Sequence, residues 1–102
     1  MSTKVSIIIP VFNSKKYISQ CIDSVLRINF NSFNVIIIDN CSTDGSVNLI
    51  NKFKSKKIKL IKNSKNFGQT YSLNRGIKTS KSKYIAVMDS DDICLPNRIK
   101  SS

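Results

Sequence analysis

Four short apolar runs, separated by segments of helical periodicity, constrain the fold of this chain more than any other feature of its sequence. The first two runs, at residues 5–9 and 35–38, are continuous and consist mainly of isoleucine and valine. Such runs are typical of strands that are buried on both faces of a parallel sheet. Two further strands are predicted at residues 58–61 and 84–88, and the first strand is expected to stop near Pro10.

Three helical segments are predicted between these strands. The second and third are predicted around residues 47–53 and 71–79. The alternation of strands and helices predicts an α/β fold with a mainly parallel, Rossmann-like sheet, right-handed crossovers and helices on both faces. In the first helix, which Ser14 can cap, apolar residues recur at helical spacing and define one buried stripe: Ile18, Cys21, Ile22, Val25 and Leu26.

The composition is that of one soluble globular domain. The chain has 102 residues, of which 40% are hydrophobic and 23% charged, so it is long enough to bury a core. Its three cysteines lack CxxC spacing and it has no histidine, which argues against a zinc site and favours reduced thiols. No run approaches the roughly twenty apolar residues of a membrane helix. We therefore expect a cytoplasmic protein.

The charge balance is strongly basic, with a formal charge of +11. Basic surfaces attract nucleic acids and anionic membranes. The densest lysine cluster, over residues 52–59, falls at a predicted helix end, where cations interact favourably with the helix dipole. We interpret it as a solvated face rather than a polyanion site. No specific nucleic-acid binding is predicted, because Tyr17, Tyr71 and Tyr84 fall at predicted core or packing positions.

The acidic residues are few and clustered. All six are aspartates, and three of them, Asp89, Asp91 and Asp92, follow the fourth strand. Asp89 and Asp91 are two apart on an extended backbone, so their carboxylates face the same side and repel each other unless a cation lies between them. Mg²⁺ and Mn²⁺ suit such oxygen ligands. The alternative is that these aspartates form a turn and cap a short helix.

Asp39 adds a fourth carboxylate at the end of a neighbouring strand. The carboxyl ends of parallel strands are where α/β sheets bind ligands. Four of the six aspartates are therefore expected at one edge of the sheet. The alternative for Asp39 is a turn or helix-capping residue before residues 42–46.

Five sequence blocks in this order, VSIIIPVFN, YISQCIDSVL, VIIIDNCSTDGS, NFGQTYSLNRGI and KYIAVMDSDDICLP, resemble the N-terminal nucleotide-sugar-binding half of family 2 glycosyltransferases with the GT-A fold. The resemblance covers essentially all of residues 1–102. It implies that Asp89 and Asp91 form the DxD pair that binds the metal, Asp91 most directly. The nucleotide-binding residues that it implies are Pro10, Val11, Phe12, Asn13, Asp39, Asn66, Asp89 and Ser90.

The activity implied by this resemblance is inverting transfer of a hexose from a nucleotide sugar, most commonly a UDP-sugar. Asp39 would accept a hydrogen bond from the base. Mn²⁺ or Mg²⁺ would bridge the diphosphate and stabilise the charge on the leaving nucleotide. The acceptor is an unidentified glycan, lipid or protein, and the expected location is the cytoplasm or the cytoplasmic face of a membrane.

The sequence departs from the family pattern at several positions. Asn40 and Cys41 stand where the family usually has Asp and Gly. Ser19 and Gln20 replace common acidic residues of the first helix. Leu73 replaces a frequent arginine, while Arg75 lies on the other side of Asn74. We therefore expect an altered loop after the second strand and fewer nucleotide contacts from the NFGQTYSLNRGI block.

The resemblance also implies that the acceptor half is absent, because the family's general base lies well beyond the position of Ser102. We expect a chain truncated after the DxD motif, or one whose acceptor half comes from a partner chain. The alternative is a non-catalytic nucleotide-sugar-binding module or an inactive remnant. A phosphotransferase of the haloacid dehalogenase type also uses a DxD motif, but there it normally ends the first strand.

Overall fold

The computed structural model describes residues 4–27 and 32–90 as a parallel four-stranded sheet with three helices. The strands lie in the order β3-β2-β1-β4, and every neighbouring pair is parallel. This is the α/β architecture that the sequence predicted. The elements in chain order are β1 (Val5–Val11), α1 (Ile18–Leu26), β2 (Phe33–Asp39), α2 (Ser46–Asn51), β3 (Ile58–Lys62), α3 (Gln69–Thr79) and β4 (Tyr84–Val87).

The helices cover both faces of the sheet. On one face, Ile7, Ile9 and Ile37 pack into a cluster with the buried stripe of α1 and with Ile50 of α2. On the other face, the buried residues are Ile8, Ile36 and Ile38, and Leu73 of α3 packs against them. The central strands β1 and β2 are therefore apolar on both sides, which explains their continuous runs of isoleucine and valine.

Gly76 brings α3 close to the sheet. A Cβ atom at this position would lie 2.7 Å from Cγ2 of Ile8 and 2.7 Å from Cδ1 of Ile38. Any larger residue would push α3 away from β1 and β2. The glycine thus allows α3 to pack closely against β1 and β2.

The first strand and the first helix differ from their predicted bounds. β1 continues through Pro10 to Val11, because β4 pairs with β1 only as far as Ile8 and leaves Pro10 with a neighbour strand on one side. The side chain of Ser14 does not cap α1. It contacts Ser90 and the Phe12 carbonyl instead, and α1 begins after Tyr17 without a side-chain cap.

The lysine cluster and the tyrosines also lie elsewhere than expected. α2 ends at Asn51 with no basic residue in its last turn, so the lysines of residues 52–59 belong to a connection and to β3. Tyr17, Tyr71 and Tyr84 are 43%, 46% and 52% exposed, so none of them is a core residue. Tyr17 and Tyr71 lie beside helix starts, and Tyr84 lies on a strand at the end of the described sheet, where few residues cover them.

β4 is the outermost strand next to β1 in the described part of the chain. Its residues Tyr84, Ile85 and Val87 are exposed large hydrophobic side chains. An apolar strand with one unpaired edge is a surface on which further chain can pair.

Among the helices that the structure describes, none has the length and hydropathy to cross a bilayer.

Candidate functional site

A cavity of about 590 Å³ lies at the carboxyl ends of β1, β2 and β4 and at the start of α3. Six of the eight predicted nucleotide-binding residues line it: Pro10, Phe12, Asn13, Asn66, Asp89 and Ser90. Six further lining residues were not predicted: Ser14, Tyr17, Asn40, Gly68, Gln69 and Ser72. Residues from all five of the sequence blocks thus meet in one concave site.

Asn13 joins the loop after β1 to the loop after β2. It has a positive φ of 48°, which asparagine tolerates better than most residues. Its backbone N–H donates to Oγ of Ser42 at 2.9 Å, and its side-chain Oδ1 accepts from the N–H of Thr43 at 2.8 Å. These two bonds hold Phe12 at the cavity wall with its ring half-exposed.

Val11 and Asp39 lie behind the cavity wall. The side chain of Val11 packs in the core, and its carbonyl accepts from the N–H of Asn40 at 2.7 Å. Asp39 is 2% exposed, and its Oδ2 accepts from the N–H of Ser42 at 3.1 Å. Its Oδ1 is buried and has no hydrogen-bond partner. A buried carboxylate oxygen without a donor is costly, so this atom is ready to accept a hydrogen bond from a ligand.

Asp44 has a structural role in the loop after β2. Its Oδ1 accepts from the hydroxyl and the N–H of Ser46, and its Oδ2 accepts from the N–H of Lys15 at 3.0 Å. The pKa of the Asp44 carboxyl is lowered from its ordinary value, and the hydrogen bond from the Ser46 hydroxyl contributes most to this shift. Asp44 therefore stays ionised and holds the starts of α1 and α2 together.

Asp89 reaches the cavity from the end of β4. Its carboxylate is exposed and accepts a long hydrogen bond of 3.5 Å from Nε2 of Gln69. Next to it, Oγ of Ser90 lies 2.6 Å from Oγ of Ser14, which ties the end of β4 to the loop after β1. The weakly engaged carboxylate of Asp89 is thus suited to bind a cation from the cavity.

Asp91, the second predicted metal ligand, lies outside the described residues, as does Asp92. Within the residues that the structure describes, no group of three or more His, Cys, Asp or Glu side chains could hold a metal ion. Asp89 alone would leave a divalent ion dependent on oxygen atoms from elsewhere, such as those of a bound diphosphate and water.

An asparagine network forms the floor of the cavity below α3. Oδ1 of Asn40 accepts from Nδ2 of Asn63 at 3.1 Å and from the N–H of Phe67 at 2.9 Å, while its Nδ2 donates to Asn66 at 2.6 Å. Asn63 also donates to Oγ of Ser72 at 3.0 Å. Asn40, Asn63 and Ser72 are buried, so these bonds satisfy the polar groups that the sheet end encloses.

The sequence contained a signal for some of the unpredicted lining residues. Asn40 directly follows the second predicted strand, at the edge where ligands were expected. Gly68 and Gln69 directly follow Asn66, and Gly68 has a positive φ of 92° at the start of α3. Ser14 and Tyr17 gave no such signal, because Ser14 was interpreted as a helix cap and Tyr17 as a core or packing residue.

The comparisons with known proteins agree on one family. A family model described as glycosyl transferase family 2 matches residues 6–101. Glycosyltransferase GlyG of Streptococcus pneumoniae is 29% identical over 99% of this chain and 34% of its own length. WfaP of Escherichia coli, a UDP-Glc:alpha-D-GlcNAc-diphosphoundecaprenol beta-1,3-glucosyltransferase, is 37% identical over 95% of this chain and 39% of its own length.

The fold also matches that of a solved structure. TarS residues 1–349 of S. aureus, crystallised in complex with UDP-GlcNAc, superpose with a TM-score of 0.90 at 29% identity. The match covers 97% of this chain and 30% of that one. The chain therefore spans about a third of the length of GlyG and of the TarS fragment.

Proposed function

The chain belongs to glycosyl transferase family 2, and from this premise we propose that residues 1–102 form the donor-binding part of a glycosyltransferase. The donor is a nucleoside diphosphate sugar, most simply a UDP-sugar. The observation that carries the proposal is the cavity at the carboxyl ends of the strands, which brings together Phe12, Asn13, Asn66 and Asp89 from separate loops.

The base of the nucleotide lies beside Phe12 and Asp39. Phe12 offers a half-exposed ring at the cavity wall, against which a flat base can stack. Behind it, the unpartnered Oδ1 of Asp39 accepts the N3–H of uracil. Asp39 does not line the cavity itself, so this contact requires a small shift of the loop at residues 40–44. The UDP-GlcNAc bound by TarS and the UDP-glucose in the name of WfaP support uridine as the nucleoside.

The diphosphate lies between Asp89 and the start of α3. Gly68, Gln69 and Ser72 line the cavity there, and the positive end of the helix dipole favours an anion. Asp89, together with Asp91, would hold Mn²⁺ or Mg²⁺, which neutralises charge on the leaving diphosphate. Ser90, which directly follows Asp89, is held through its contact with Ser14.

The reaction that this site serves is inverting transfer of the sugar. The acceptor hydroxyl attacks the anomeric carbon on the face opposite the diphosphate, which leaves with the bonding electrons, while a base removes the hydroxyl proton. We place that base, and the site for a glycan, lipid or protein acceptor, in an acceptor-binding half beyond residues 1–102 or in a partner chain. The edge of β4 that no described strand covers is the surface at which that half would join the sheet.

The proposed contact at Asp39 predicts a specific change in base preference. In Asp39→Asn, the single amide oxygen cannot serve both Ser42 and uracil, and the amide NH₂ can donate to N3 of cytosine. We expect UDP affinity to fall by about ten- to a hundredfold, as for loss of a hydrogen bond to a charged group, and CDP affinity to rise relative to UDP. Calorimetric titration with both nucleotides measures the two effects.

The matched control is Asp23→Asn, which removes a carboxylate from the exposed face of α1. It should leave the affinities for UDP and CDP unchanged. An equal loss for UDP and CDP in Asp39→Asn, with the fold intact by circular dichroism, would mean that Asp39 supports the loop and does not read the base.

A further inference from the structure

The basic residues of the chain are segregated, and residues 45–88 account for its entire net charge. This segment contains eleven of the seventeen Lys and Arg residues and none of the six aspartates. The six remaining basic residues are balanced by the six aspartates, so the segment carries the same formal charge as the whole chain, +11. Such an uneven distribution gives one part of the surface a strong positive potential.

The fold collects much of this charge at the amino-terminal end of the sheet, opposite the donor cavity. Three strands follow directly after a lysine: β1 after Lys4, β3 after Lys57 and β4 after Lys83. Backbone hydrogen bonds place these lysines at the same end, because Tyr84 donates to the carbonyl of Lys4 and Val35 donates to that of Lys57. We call this surface the basic end and define it by Lys4, Lys54, Lys56, Lys57, Lys78, Lys81 and Lys83.

The four aspartates in the described part of the chain lie away from the basic end or are already paired. Asp39, Asp44 and Asp89 are at the carboxyl ends of the strands or in the loops that follow them. Asp23, on α1, forms a salt bridge of 3.0 Å with Arg27. The cavity end, where lysines also occur in the loops, therefore carries both signs of charge, whereas the basic end is positive.

We propose that the basic end binds the surface of an anionic lipid bilayer, with the donor cavity on the opposite side. Ten of the eleven basic residues in residues 45–88 are lysines, and a lysine acts as a point charge that needs no specific geometry. The four strands place the charges across a width of roughly 15 Å. Lysines near an anionic membrane each strengthen binding by about fivefold.

Tyr84 gives the basic end an amphipathic contact for the headgroup region. Its side chain is 52% exposed, and Nζ of Lys83 lies 5.6 Å from the centre of its ring. Tyrosine and lysine both place a polar group in water above an apolar stem. A specific nucleic-acid site would instead use arginine against base edges and several stacked aromatic rings.

This orientation has a consequence for the acceptor. With the basic end on the bilayer, the cavity opens toward the aqueous phase on the far side of a domain whose longest extent is 33 Å. The nucleotide sugar enters from the aqueous phase, and glycan or protein acceptors that extend into it are favoured. The membrane proposal itself does not rest on the proposed donor binding, and either can fail without the other.

The test measures binding of the purified chain to sedimented vesicles. Vesicles of phosphatidylcholine with roughly one-third phosphatidylglycerol should bind it, vesicles of phosphatidylcholine alone should not, and added salt should weaken the binding. The variant Lys4→Gln, Lys56→Gln, Lys81→Gln removes three exposed lysines of the basic end. Its affinity should fall by about a hundredfold.

The matched control, Lys15→Gln, Lys16→Gln, Lys65→Gln, removes the same charge from exposed positions in the loops at the cavity end. It should retain most of the binding. Equal losses in the two variants would show that net charge alone drives adsorption and would overturn the proposal. Absence of binding to the anionic vesicles would overturn the proposal as well. It would also be overturned if the chain bound a random-sequence RNA duplex more tightly than the anionic vesicles and if that binding depended on the same three lysines.

Discussion

At the residue scale, packing leaves no room for a side chain at Gly76. A methyl group here meets Ile8 and Ile38 at 2.7 Å, closer than nonbonded carbons approach. Gly76 lies in the NFGQTYSLNRGI block, but the sequence does not distinguish a turn glycine from a packing glycine. The structure assigns it to packing, because it lies within α3 and its neighbours are side chains of the sheet.

Gly76→Ala should therefore destabilise the protein, although alanine favours a helix more than glycine does. We expect overpacking of about 1–3 kcal/mol, offset by about 1 kcal/mol of helix propensity. Urea unfolding measures the net loss. Asn74→Ala, at an exposed position of the same helix, is the control and should be neutral or slightly stabilising. A Gly76→Ala variant as stable as the control would contradict the close approach of α3.

At the scale of elements, the asparagine network joins the ends of β2 and β3 to the start of α3. The side chain of Asn40 takes part in three hydrogen bonds of this network, and each partner lies at least 23 residues away from it in sequence. The departure from the family at this position, Asn for Asp, therefore occurs inside a buried network of neutral amides. The asparagine at this position therefore affects how α3 and the loop that contains Asn66 are held at the cavity.

Two substitutions of Asn40 test this role. Asn40→Ala removes all three hydrogen bonds and leaves buried amide groups unsatisfied, which should cost about 2–3 kcal/mol of unfolding free energy. Asn40→Asp keeps an oxygen for Asn63 and Phe67, but it buries a charge and sets a carboxylate oxygen against Oδ1 of Asn66, so its loss should be at least as large. Urea titrations compare both variants with the unsubstituted chain. An Asn40→Ala variant as stable as the unsubstituted chain would contradict the role of the network in holding α3 and the Asn66 loop.

The elements themselves were largely predictable from the sequence, and their ends were not. Continuous runs of isoleucine and valine located β1 and β2, because these two strands are buried on both faces. β3 and β4 were located by shorter apolar segments. β1 ends at Val11, one residue beyond the predicted stop near Pro10, since whether a strand tolerates a proline depends on which neighbouring strand reaches that far. Ser14 was assigned to a helix cap because its actual partner, Ser90, is 76 residues away.

At the scale of the whole molecule, the fold and the family predicted from the sequence are confirmed by the parallel sheet and by the family match over residues 6–101. Six predicted nucleotide-binding residues line one cavity, and their roles remain predictions. The location of the lysines relative to the cavity could not be predicted, because it depends on all strands sharing one direction. That shared direction separates the basic end from Asp39, Asp44 and Asp89.

The most direct test of the proposed donor site is a calorimetric titration of the purified chain with UDP, in Mn²⁺ and then in EDTA, with ADP as the comparison. We predict saturable binding that requires the metal and favours UDP, because we propose that Asp39 accepts a hydrogen bond from uracil and that Asp89 serves a metal-bound diphosphate. A chain that is folded by circular dichroism and binds neither nucleotide would contradict this prediction, and so would one that binds UDP equally well in EDTA.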